Sequence, residues 1–112
     1  MDSCQQTCMV SYKDEDPIFP SSYYIYNNYP NPSNPITTLR YDIPKDSFVS
    51  ITVYDMLGNV VNNLVNTNQS SGHKSVQWNA TNNQGQPVSA GVYLYSIKAG
   101  EFRQTKKMIL IK

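Results

Sequence analysis

Two cysteines, one histidine and a scatter of carboxylates are the side chains of this sequence that could do chemistry. Cys4 and Cys8 form a Cys-x3-Cys pair near the start. Zinc takes four donors, and no further ligands accompany this pair, so a metal site fits poorly. A local disulfide and two free thiols both suit the spacing. His73 stands next to Gly72 in what reads as a loop, where a solvent-facing role is expected rather than that of a base. Catalysis needs acids, bases or nucleophiles in company. No Asp or Glu occurs between Asp55 and Glu101, so the second half cannot assemble a carboxylate pair. The run Asn79–Gly85 has the polarity of a calcium loop without the carboxylates a hard cation requires, and reads as a turn. Gly58, Gly72, Gly85, Gly91 and Gly100 each sit at a strand boundary, which leaves no phosphate-cradling loop. Asn68-Gln69-Ser70 and Asn79-Ala80-Thr81 match the glycosylation acceptor pattern, a pattern short enough to arise by chance. The expectation is a chain that is not an enzyme, with no catalytic residues, no cofactor, no metal and no small-molecule substrate.

Composition points to a binding or structural module. At 112 residues the chain holds one domain and one modest core. Charged residues make up only 15% of it and tyrosine fills nine positions, which favours pleated, half-buried surfaces over helices. A net charge of +1 gives no reason to expect nucleic acid as a partner. No window is apolar enough to span a membrane as a helix. The start, Met1-Asp2-Ser3-Cys4-Gln5-Gln6, lacks the apolar stretch of a secretory signal. If the protein is exported, these residues are expected to be the tail of a longer chain.

The elements follow from a period of two. Residues 1–22 read as a poorly ordered leader or linker, with Pro17 and Pro20 opposing regular pairing. Residues 23–112 read as the domain. Ser21–Tyr26 suits a first edge strand, and three prolines within Pro30–Pro35 demand an extended or turning segment. Leu39, Tyr41 and Ile43 alternate with polar residues, as do Val49, Ile51 and Val53. Asp55–Asn59 is a hairpin signal, with Gly58 in the left-handed position. Val60–Val65 fits a strand or a helical turn, and its place after the hairpin favours a strand. Residues 66–72 read as a polar loop. Val76 and Trp78 share one side of the next strand. Tyr93, Tyr95 and Ile97 line one side of another, and Phe102–Ile111 forms the last. Short strands at roughly ten-residue intervals without a helix imply an all-β, immunoglobulin-like antiparallel sandwich of about seven strands with Greek-key connections. Its core should hold Leu39, Val49, Ile51, Val53, Trp78, Tyr93 and Ile97. Tyr41, Tyr93 and Tyr95 belong to that core with hydroxyls at its rim. Tyr23, Tyr24, Tyr26 and Tyr29 are expected against the sheet edge.

Several separated pieces agree in order with one known family. Asn28-Tyr29-Pro30-Asn31-Pro32, Pro35–Tyr41, Ile43-Pro44, Tyr54–Gly58, Trp78, Gly85–Val88, Gly91-Val92-Tyr93 and the terminal Lys107–Lys112 resemble the type A C-terminal sorting domain of bacterial type IX secretion. The immunoglobulin-like domain of the flagellar hook-capping protein is similar. Ser33 departs from the Phe common after the opening motif. The resemblance implies a sorting signal recognised by an outer-membrane secretion translocon and a sorting protease. It implies a protein secreted or displayed at the bacterial cell surface. The alternative it implies is a structural or adhesive immunoglobulin-like domain of the hook-cap type. The flush C-terminal match favours the sorting reading.

The last strand draws attention for a physical reason too. Met108 and Leu110 alternate with Ile109 and Ile111, so apolar groups face both sides. A central strand covered on both faces, or a bulge, accounts for this. So does an edge completed by a partner strand, including pairing between copies. The basic residues from Lys98 onward read either as edge lysines that discourage pairing or as a recognition tail. The candidate recognition residues are Lys107, Met108, Ile109, Leu110, Ile111 and Lys112, with Gly91 and Tyr93.

Overall fold

The structure, a computed structural model, describes residues 20–111. Cys4, Cys8, Lys112 and nearly all of the 1–22 leader lie outside the described residues. Within them are seven strands and no helix: β1 (Tyr24–Ile25), β2 (Thr37–Ile43), β3 (Ser47–Tyr54), β4 (Val60–Gln69), β5 (Gly72–Trp78), β6 (Gly91–Ala99) and β7 (Phe102–Leu110). They form a three-stranded sheet in the order β1-β2-β5 and a four-stranded sheet in the order β4-β3-β6-β7, every pair antiparallel. The pairs β2–β5 and β3–β6 join strands distant in sequence, as crossovers between the layers of a Greek-key sandwich do. The expected fold class is what the structure has.

Period-two patterning decides which side chains fill the space between the sheets. Leu39, Tyr41 and Ile43 enter from β2; Val49, Ile51 and Val53 from β3; Tyr93, Tyr95, Ile97 and Ala99 from β6; Met108 and Leu110 from β7. Trp78 closes the end of β5, fully buried, its ring edge-on to Tyr93 at 5.3 Å. Its indole N–H donates to the Thr81 carbonyl at 2.8 Å, which gives a buried polar atom the partner it needs. The rim hydroxyls behave likewise: Tyr41 donates to Gln69 Oε1 at 2.6 Å and Tyr93 to the Ser89 carbonyl at 2.5 Å. All seven expected core residues are buried.

Two local readings change. The loop expected over residues 66–72 shrinks to Ser70 and Ser71: β4 runs to Gln69, with Ser47–Ser50 of β3 facing Gln69–Asn66, and β5 begins at Gly72. Polar residues on both sides hid this strand, because the β3 ladder rather than burial holds it. His73 is likewise in a strand, opposite Asp42 of β2. Register shifts in the β3–β4 pairing fall at Ile51/Thr52 and Val53/Tyr54, beside the hairpin turn.

That turn has the expected form. The Gly58 N–H donates to the Asp55 carbonyl at 3.1 Å, and Gly58 sits at φ 89° with nothing near a would-be Cβ. Asp55 Oδ1 accepts from the backbone N–H groups of Leu57 and Asn59, each at 2.9 Å. The Asn59 N–H is the main cause that holds the Asp55 carboxyl below its ordinary 3.8.

Three outcomes follow. Gly58→Val meets no clash but must adopt a left-handed φ, so it should cost about 1 kcal/mol or more and lower the melting midpoint by several degrees. An unchanged midpoint would exclude this turn. Asp55→Ala should destabilise at neutral pH. A depressed folded pKa gives stability that is present above the unfolded value and lost as pH falls through the folded one. The gap between wild type and Asp55→Ala, read by urea denaturation, should therefore close on acidification below 3.8. In β7, Met108 is fully buried while Ile109 on the other face is 41% exposed. Met108→Ala should cost about 2–5 kcal/mol, and Ile109→Ala under about 1 kcal/mol. Equal losses would show that the two faces are misassigned.

Candidate functional site at the terminal edge strand

The structure brings the described candidate residues together on and just beyond one hairpin. β6 and β7 pair without a register shift from Ala99↔Phe102 to Gly91↔Leu110, so Gly91 faces Leu110, Tyr93 faces Met108 and Leu94 faces Lys107. The strand is neither central nor bulged: β7 is the outermost strand of its sheet. Its residues divide by face. Met108 and Leu110 are spent in the core, as is most of Tyr93. Lys107, Ile109 and Ile111 lie exposed on the outer face. A partner approaching this face meets a lysine and two isoleucines, not the whole hexapeptide. Lys112 lies outside the described residues.

The end of β7 is held by the proline-rich segment. The Ser33 N–H donates to the Ile109 carbonyl at 2.9 Å, and the Ile111 N–H donates to the Ser33 carbonyl at 3.0 Å. The Ile109 N–H donates to Asn31 Oδ1 at 3.2 Å, and the Ser33 hydroxyl adds a bond to the Ile109 carbonyl at 3.3 Å. Prolines remove donors, so this segment spends its few remaining polar groups on the strand edge and on itself. Asn28 donates its side-chain amide to the Thr37 hydroxyl at 3.0 Å and the Pro30 carbonyl at 3.2 Å, and Thr37 donates to Pro30 at 2.8 Å. Ser33 is fully buried, and its bonds to Ile109 and Ile111 give its N–H, carbonyl and hydroxyl the partners that a buried polar residue needs. Sequence reading singled out this motif without finding its partner, because the contact spans 76 residues.

His73 of β5 joins a polar cluster with Asp42 of β2 and Tyr26, which follows β1. His73 Nδ1 lies 2.7 Å from Asp42 Oδ1, and Tyr26 donates its hydroxyl to Asp42 Oδ2 at 2.6 Å. That hydrogen bond is the first cause raising the Tyr26 pKa above 10.0, so the phenol holds its proton rather than yielding it. Arg40 lies 5.4 Å over the Tyr26 ring. The His73 side chain is about half exposed, but it is paired across the ladder rather than free in a loop. Among the described residues no group of three or more His, Cys, Asp or Glu could hold a metal ion. No helix there is long and apolar enough to cross a membrane. Of the other tyrosines, Tyr23 stacks on Phe102 at 5.5 Å and Tyr24 packs edge-on to Tyr26 at 4.7 Å. Tyr29 is largely exposed.

Known proteins agree with this architecture. Dimeric latent PorU from Porphyromonas gingivalis is similar over 88% of this chain, at 23% identity and a TM-score of 0.64. PorZ of the same organism, described as an essential bacterial surface component of its type-IX secretion system, is similar over 80%, at 22% identity and a TM-score of 0.53. The chain spans about a tenth of either structure, 10% and 11%. At such identities the likeness is one of fold. No curated protein matches the sequence. The family model of the FlgD Ig-like domain matches residues 35–101, from the last proline of the clasp to the β6–β7 turn. With more than half of its length matched, this chain belongs to the FlgD Ig-like domain family.

Proposed function

We propose that this chain is a secretion-sorting module, a non-enzymatic domain that directs a cargo protein through the outer membrane to the cell surface. The observation that carries the reading is the terminal strand. Lys107, Ile109 and Ile111 are presented on the outer face of an edge strand whose end is locked by Asn31 and Ser33. A recognition element needs such rigid presentation. The likeness of fold to a domain-sized part of PorZ, a type-IX secretion component, supports it. Under this reading the partners are the outer-membrane translocon and a sorting protease, and the domain is the tail of a longer exported protein.

The family match favours a second reading, a structural immunoglobulin-like domain of the hook-cap kind. The two separate on one experiment. Lys107→Gln with Lys112→Gln keeps chain length and most packing, and Lys107 is exposed, so the fold should survive. Fused to a reporter in a host with type IX machinery, the double variant should reach the surface at a clearly reduced yield while its melting midpoint stays unchanged. Normal surface yield from the folded variant removes the lysines from recognition. Normal yield after deletion of residues 107–112 removes the sorting reading and leaves the structural one.

A further inference from the structure

Among the described residues, the outer edge of β7 is covered only at its end. The bonds at Ile109, donating to Asn31 and accepting from Ser33, show which way its backbone groups point. In an antiparallel ladder, residues direct both N–H and C=O to alternate sides. The β6–β7 register is unbroken, so Arg103, Thr105 and Lys107 also aim theirs away from β6. Among the described residues no backbone group pairs with these three positions. An open strip of main-chain donors and acceptors therefore runs from Arg103 to Lys107, stopping where the Asn31–Ser33 clasp begins.

Charge selects what can lie there. Arg103 and Lys107 flank Thr105 on the outer face, and half-buried Lys106 sits on the other face of the same strand. Lys98, opposite Arg103 in the ladder, adds a fourth positive group, against Glu101 as the sole carboxylate of the 91–110 hairpin. A second copy is a poor occupant. Antiparallel pairing of two β7 strands centred on Thr105 would set each Arg103 opposite a Lys107, and opposed like charges destabilise a strand pair.

We propose that the Arg103–Lys107 edge of β7 takes up a short, extended, acidic segment of a partner protein as an added strand. Main-chain bonds to Arg103, Thr105 and Lys107 hold it, and carboxylates opposite Arg103 and Lys107 select it. The inference uses the strand invoked for sorting but does not require a sorting role. Peptide binding and export are separate readouts, so either reading can fail alone.

The test uses the full 112-residue chain and a labelled eight-residue peptide of alternating Glu and Val, followed by fluorescence anisotropy. Saturable binding is expected. The Lys–Val counterpart and a Glu–Val peptide N-methylated on alternate residues should each bind about tenfold more weakly or worse. Thr105→Pro removes one outward N–H and no bond to β6, so the fold should hold while affinity falls about tenfold. Arg103→Glu with Lys107→Glu should exchange the preference from the acidic to the basic peptide. In NMR spectra the amides of Arg103, Thr105 and Lys107 should shift and gain exchange protection on binding. No binding of the acidic peptide overturns the proposal. Equal binding of the basic peptide overturns the charge selection, and equal binding of the N-methylated peptide overturns strand addition, whether or not Thr105→Pro folds. Concentration-dependent dimerisation abolished by Thr105→Pro would instead give the edge to a second copy.

Discussion

One buried hydroxyl ties the two layers of this sandwich together. Tyr95, at the centre of β6, accepts the Asn28 backbone N–H at 2.9 Å and donates to the Tyr26 carbonyl at 3.0 Å. Its ring is fully buried, and burial is the main cause that raises its pKa above 10.0, so it stays a neutral donor and acceptor. Through it the chain leaving β1 is anchored to the opposite sheet. That anchor positions the following proline-rich stretch, which has few donors of its own and must find partners for its carbonyls. Asn28 and Thr37 both donate to the Pro30 carbonyl, and Ser33 then reaches the end of β7.

The same clasp settles how the sheet ends. Open edges invite pairing, and natural sheets cover or charge them. Here one edge strand, β7, is capped at its C-terminal end by Asn31 and Ser33. The opposite edge strand, β4, is capped near its start. The Asn83 N–H donates to the Val61 carbonyl at 3.0 Å, Asn62 donates to the Thr81 and Asn82 carbonyls, and the Asn63 N–H donates to Asn83 Oδ1. What stays open on β7 is charged. Stability and exposure are thus divided along one strand: its inward side chains complete the core, and its outward groups are left for contact.

Under the proposed sorting role, this division suits a domain that a partner recognises. Asp55 organises a turn, and Asp42 joins Tyr26 to His73. The hydroxyls of Tyr41, Tyr93 and Tyr95 are committed to amide and backbone partners. On the terminal strand, exposed Ile109 stands beside exposed Lys107.

Much of this was legible in the sequence because a period of two is a local property. Alternation at Leu39–Ile43, Val49–Val53 and Tyr93–Ile97 determined the strands, the fold class and the core, and Asp55–Gly58 determined its own turn. Where local pattern was silent, tertiary pairing decided. β4 extends through Asn66–Gln69 because β3 supplies a ladder, although nothing there is patterned for burial. His73 lies in a strand because β2 brings Asp42 opposite it, 31 residues away. Apolar residues on both faces of Met108–Ile111 read alike in a central strand and at an edge. Only sheet order, and the return of Asn31 and Ser33 from the far end of the chain, made it an edge with one end closed. Side-chain periodicity is written residue by residue, whereas a strand's neighbours are chosen by the whole chain.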